Sequence, residues 1–134
     1  MKKRNLLVLG LIALMGIVVF VSCMQDPILD NKAIGKWIAQ NNMGDKITLD
    51  VKSDQTLVMT VTQGTGENSG SYMVLLGLEP DGMTITVTGT WDATSVSDGT
   101  LKLDELGTTY TFTAYDKVLT LYNKEMGSIE LSRV

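Results

Sequence analysis

The chain has 134 residues and a formal net charge of −4 at pH 7, from 15 acidic and 11 basic residues, with no histidine. This is length for one compact domain, and the missing imidazole removes the usual general base and a common metal ligand. An acidic chain is also repelled by polyanions, so no nucleic-acid partner is expected.

In chain order, Lys2, Lys3 and Arg4 precede a run from Leu6 to Val21 that is apolar or glycine throughout. A membrane-spanning helix needs roughly 20 apolar residues, so this run is short for a span and suits the apolar region of a secretory signal. Small Ser22 then leads to Cys23, the only cysteine. Phe20-Val21-Ser22-Cys23 resembles the lipobox of bacterial lipoproteins, with Phe20 where that motif usually carries an aliphatic residue. The resemblance implies that residues 1–22 are a lipoprotein signal peptide and that the Cys23 thiol takes a diacylglyceryl group. Cleavage would then leave Cys23 as the first residue. An ordinary secretory signal is the rival reading, but no Ala-x-Ala-like cleavage site is present; a buried free thiol is the other. One acyl chain holds a protein to a bilayer only marginally, whereas the two or three of a lipoprotein anchor it stably. Lys2, Lys3 and Arg4 leave with the signal while every acid stays, so the mature domain is more acidic than the precursor. The expected location is the cell envelope, lipid-anchored at the outer membrane on its periplasmic or surface face.

Residues 23–33 read as a lipidated tether, polar and without sustained period, with room for one helical turn near Asp30 to Ile34 capped by Asp30. From residue 34 to residue 134 period-2 alternation takes over. Ile47, Leu49 and Val51 share one face, as do Leu57, Met59 and Val61, then Met83, Ile85, Val87 and Trp91, then Tyr110 and Phe112. Threonine fills many of the opposite positions, where its β-branched side chain fits a solvated pleat. Turn chemistry at Ser53-Asp54-Gln55, Glu79-Pro80-Asp81-Gly82, Ser97-Asp98-Gly99 and Asp116-Lys117 separates the runs. Nine runs result, at 35–40, 46–52, 56–63, 70–76, 83–92, 99–104, 108–115, 118–123 and 128–133. Short alternating strands at this spacing predict an all-β fold, a sandwich or a barrel. Tyr72 to Leu76 departs from the alternation, being apolar on both faces. It reads as a strand covered on its outer side or as an exposed docking patch.

Gly35-Lys36-Trp37 at the first strand and Arg133 in the last are similar to a pairing in the lipocalin and calycin superfamily. There a Gly-x-Trp tryptophan lies at the barrel floor beneath an arginine from the final strand. Arg133 shares the inward parity of Ile129 and Leu131, which suits a guanidinium packed on an aromatic ring. More narrowly, the chain resembles the small lipocalin-like lipoproteins of Bacteroidota, and the resemblance implies an antiparallel up-and-down barrel of about eight strands. Gly89-Thr90-Trp91 is a second Gly-x-Trp, no helix follows the last strand, and the middle lipocalin motif is not visible.

An eight-stranded barrel holds either its own side chains or one small ligand. The tentative ligand-binding set inside it is Trp37, Met59, Tyr72, Trp91, Tyr110, Phe112 and Arg133, and the same residues would equally serve as a packed core. No cofactor and no metal site are expected, since Asp81-Gly82 and Asp98-Gly99 lack the ligand count of a calcium loop. No enzyme is expected either. Without histidine a serine nucleophile needs a lysine base, and no Ser-x-x-Lys occurs. Asp104 and Glu105 point apart on a strand end, which does not suit a glycosidase pair. The leading reading is a membrane-anchored, non-catalytic binding module facing an envelope protein or a saccharide. The alternatives are a lipocalin-like carrier of a small apolar ligand and a hydrolase inhibitor inserting the loop from Gly64 to Gly70.

Overall fold

The structure, a computed structural model, describes residues 26–134. The proposed signal peptide and Cys23 lie outside the described residues. Eight strands form: β1 (Gly35–Gln40), β2 (Lys46–Val51), β3 (Thr56–Thr62), β4 (Thr84–Ala93), β5 (Asp98–Leu103), β6 (Thr108–Tyr115), β7 (Val118–Asn123) and β8 (Gly127–Arg133). They close in sequence order into an antiparallel barrel, which decides between the sandwich and the barrel that the alternation left open and is the up-and-down architecture expected from the resemblance. A closed barrel with this connectivity is compatible with a lipocalin-like fold. Closure leaves no open sheet edge to recruit another chain. The seam that closes it is the shortest contact, with Trp37 opposite Arg133 and Ile38 opposite Ser132. Beyond it the Val134 N–H donates to the Lys36 carbonyl.

Inward positions carry the core. Trp37, Ile47, Leu49, Met59, Val61, Leu103, Tyr110, Leu119 and Leu121 are all buried to within 1% of their surface. The outer positions pair threonine across strands, Thr48 with Thr60 and Thr60 with Thr86, and the Thr84 hydroxyl donates to that of Thr62 at 3.3 Å. Cross-strand threonine pairs of this kind stabilise a wetted face modestly.

The structure corrects one expected strand. Residues 70–76 do not join the sheet; Ser71–Leu75 form a single helical turn, α1, between β3 and β4. Its apolar residues recur at a spacing of three, and Met73 and Leu76 both point into the barrel mouth, fully buried. Gly70 precedes α1 in a left-handed conformation, φ 102°. At the other end Gly77, φ 77°, lets the Leu78 N–H reach the Met73 carbonyl at 2.7 Å and its own N–H reach Val74 at 3.0 Å. This is the Schellman arrangement that satisfies orphan carbonyls at a helix end. Leu76-Gly77-Leu78 is therefore a stop signal for a helix.

Residues 26–33, read from sequence as tether, pack across the opposite mouth. The turn forms four residues earlier than expected, with Asp26 rather than Asp30 at its start: the Asp26 carboxylate accepts from Ile28 and Leu29 N–H at 2.8 and 3.1 Å. Asn31 is buried, and its amide donates to the carbonyls of Pro27 and Ser95 while its oxygen accepts from Ala33 N–H. Lys32 N–H donates to Val96 in the β4–β5 hairpin at 2.7 Å. Among the described residues no helix is long and apolar enough to cross a membrane.

Candidate functional site

Two ends and one outer surface are available for function, because the interior is occupied. At the first end, the floor, the Arg133 guanidinium carbon lies 4.1 Å from the centroid of the Trp37 ring. The guanidinium donates to the carbonyls of Ile34 and Lys32. The Trp37 indole N–H donates to Ala33 at 2.8 Å, so ring, cation and incoming chain form one unit. Arg133 is exposed at the barrel mouth and not enclosed in the interior, and its parity brings it onto Trp37 there. Gly35 is required beside it: its φ is 132°, and a Cβ there would stand 2.7 Å from an Arg133 terminal nitrogen. Gly35→Ala should therefore cost about 1–3 kcal/mol, the usual range for a strained backbone position. Urea denaturation checks this, and an unchanged midpoint would separate Gly35 from the Trp37–Arg133 packing.

At the other end, the ceiling, a buried carboxylate ties the long β3–β4 connection to the barrel. Asp45 is 1% exposed and accepts from Gly64 N–H at 2.7 Å, Gly70 N–H at 2.8 Å and the Asn41 amide at 2.8 Å. The Ser71 hydroxyl adds a longer contact at 3.4 Å. Burial alone would raise the Asp45 pKa, but the donors from Gly64, Asn41, Gly70 and Ser71 outweigh it and hold the carboxyl below its ordinary value. Every buried side-chain nitrogen and oxygen among the described residues has a partner. Sequence reasoning missed Asp45. The signal was its parity, since it shares the inward face of Ile47, Leu49 and Val51 directly after a turn.

The remaining candidates divide plainly. Met59, Trp91, Tyr110 and Phe112 are buried in the barrel core. Trp91 and Phe112 meet edge to face, with centroids 6.2 Å apart, and the Trp91 indole N–H donates to Lys52 at 2.7 Å. This geometry fixes rings in a core. Tyr110 reaches the ceiling, its hydroxyl donating to the Leu75 carbonyl at 3.4 Å, and burial raises its pKa. Tyr72 is not on the barrel wall at all. It is half-buried on α1, where burial first and the Asp45 charge second raise its pKa. Cys23 lies outside the described residues.

Two hollows lie on the outer surface. One groove of about 510 Å³ runs over β1–β3 past Lys36, Ile38, Thr48, Asp50, Val58 and Thr60. Another of about 490 Å³ lies at the ceiling side of β6–β7 beside Thr109, Thr111, Tyr122 and Asn123. Among the described residues no cluster of three or more acidic, histidine or cysteine side chains could hold a metal ion. No family model, no curated protein and no solved structure matches the chain.

Proposed function

We propose that this chain is an envelope lipoprotein, anchored through Cys23, whose barrel is a non-catalytic interaction module working from its outer surface. The observation that carries the outer-surface reading is the closed interior. Met73 and Leu76 of the β3–β4 connection fill one mouth, and Trp37 with Ala33 fills the other, all buried to within 1%. The residues that would line a carrier's cavity pack instead against one another. The anchor reading rests on the basic start, the short apolar run and the Ser22-Cys23 junction. At the outer membrane, the chemistry that remains is recognition of an envelope protein or a saccharide by outward side chains and the ceiling loops.

The test has two parts. Cys23→Ala should move the protein from the membrane fraction to the soluble fraction or block its processing; unchanged retention would refute the anchor. Native mass spectrometry of the protein released from its own envelope should give the lipidated chain alone. A stoichiometric small molecule surviving in that spectrum would overturn the surface reading in favour of a carrier.

A further inference from the structure

Among the described residues eight large apolar side chains are exposed, and they separate by end. Leu29, Tyr115, Val118 and Val134 stand at the floor, with exposures of 66%, 79%, 40% and 77%. Met43, Val74 and Met83 belong to the ceiling, and Tyr122 to the side wall near it. The floor residues are linked by the chain itself. Tyr115 faces Val118 across the β6–β7 hairpin, and Val118 faces Ser132 of β8. Val134 is hydrogen-bonded to Lys36, and the turn that bears Leu29 is held through Asn31 to Ser95 beside the end of β6. Lys32, Lys36 and Lys117 are exposed among them.

The chain enters the barrel at this same end. Asp26 lies on the floor, and only Met24 and Gln25 separate it from Cys23. An extended residue spans at most about 3.3–3.6 Å, so a connection this short can reach no more than about 11 Å from Asp26. This inference rests on the anchor proposed above. A lipid on Cys23 cannot hold the barrel far from the bilayer, and the end it brings down is the one that exposes a tyrosine and three aliphatic side chains.

We infer that the floor is a membrane-contact face: Leu29, Tyr115, Val118 and Val134 enter the headgroup boundary, and the ceiling points away from the bilayer. Tyrosine suits that boundary because its ring is apolar and its hydroxyl stays wet, and lysine stems can lie along it with their ammonium groups outward. Asp26, Asp30 and Asp116 share the face, so apolar contact rather than attraction to anionic lipid drives it. The bilayer is therefore zwitterionic in the chemistry this face fits.

The experiment uses the full lipidated chain in phosphatidylcholine vesicles carrying nitroxide-labelled acyl chains. With Cys23 blocked by its lipid, a single new cysteine at Lys117→Cys (floor) or Glu125→Cys (ceiling) takes a fluorophore. Floor fluorescence should be quenched about twofold more than ceiling fluorescence, as expected for side chains about 5–10 Å into the boundary. A Leu29→Asp/Tyr115→Asp/Val134→Asp variant should float with the vesicles yet lose that difference. Equal quenching of the two labels in protein that floats overturns the contact face and leaves the anchor standing. Protein that fails to float overturns both.

Discussion

Asp45→Ala should release the ceiling while leaving the barrel wall intact. The substitution strips the acceptor from Gly64 N–H, Gly70 N–H and the Asn41 amide. A buried donor left without a partner costs about 1–3 kcal/mol, and water entering the opened loop recovers part of that, so a net loss of about 2–5 kcal/mol is expected. Total stability of small domains is about 5–15 kcal/mol, which makes this a large fraction of it. Asp45→Asn should fall between, because it keeps one acceptor oxygen but turns an amino group toward Gly70. The same carboxyl gives a pH signature. Its pKa is lowered in the folded state, so its contribution is fully present above the unfolded value of about 3.9 and is lost as pH falls through the folded value. Urea midpoints measured between pH 7 and pH 3 should decline more steeply for the natural chain than for Asp45→Asn. Amide exchange at Gly64 and Gly70 that stays as slow in Asp45→Ala as in the natural chain would sink the account.

The barrel wall was legible because alternation writes itself residue by residue. Ile47, Leu49 and Val51 face inward for the same reason that Thr48 and Asp50 face out, and eight of the nine runs counted between turns are strands. The Trp37–Arg133 pair was legible through the resemblance of Gly35-Lys36-Trp37 and Arg133 to the lipocalin pairing, with parity putting the arginine on the tryptophan's side of the sheet. What escaped was the rest of what closes the ends. Tyr72 to Leu76 carries no polar position from which a period could be read, so a helical turn and a covered strand look alike until Gly77 is recognised as its stop. Asp45 went unnoticed because its donors include backbone groups 19 and 25 positions away. Residues 26–33 looked like tether because their polarity is satisfied by carbonyls such as that of Ser95, 64 positions on. Side-chain identity within the wall is local information; the plugs depend on loops folding back. The barrel's filled interior follows from those plugs, which is why a list of inward residues left pocket and core undecided.

Trp37→Ala should give the largest single loss in the molecule. The ring is fully buried, and Phe or Trp truncated to Ala in a core costs about 3–5 kcal/mol. Here the loss is compounded by position, because Trp37 sits on the seam that joins the first strand to the last through only two opposed pairs. Without the ring, Arg133 keeps its carbonyl partners on Ile34 and Lys32 but loses the surface that orients it. The seam should then fray, with faster amide exchange at Arg133 and Val134, whose N–H groups donate to Lys117 and Lys36. Trp37→Phe separates the parts: it keeps an aromatic face for Arg133 but leaves the Ala33 carbonyl without the indole N–H, and about 1–3 kcal/mol should go. A double-mutant cycle over Trp37→Ala and Arg133→Ala should return a coupling of about 0.5–2 kcal/mol, the range for a cation held over an indole. Additive losses would mean that the stacked pair is two independent contacts. An opened seam also exposes unpaired strand edges, so Trp37→Ala should associate on concentration where the natural chain does not. Sedimentation velocity at rising protein concentration reads that difference directly, and a variant that is destabilised yet stays monomeric would place the loss in the core and not in closure.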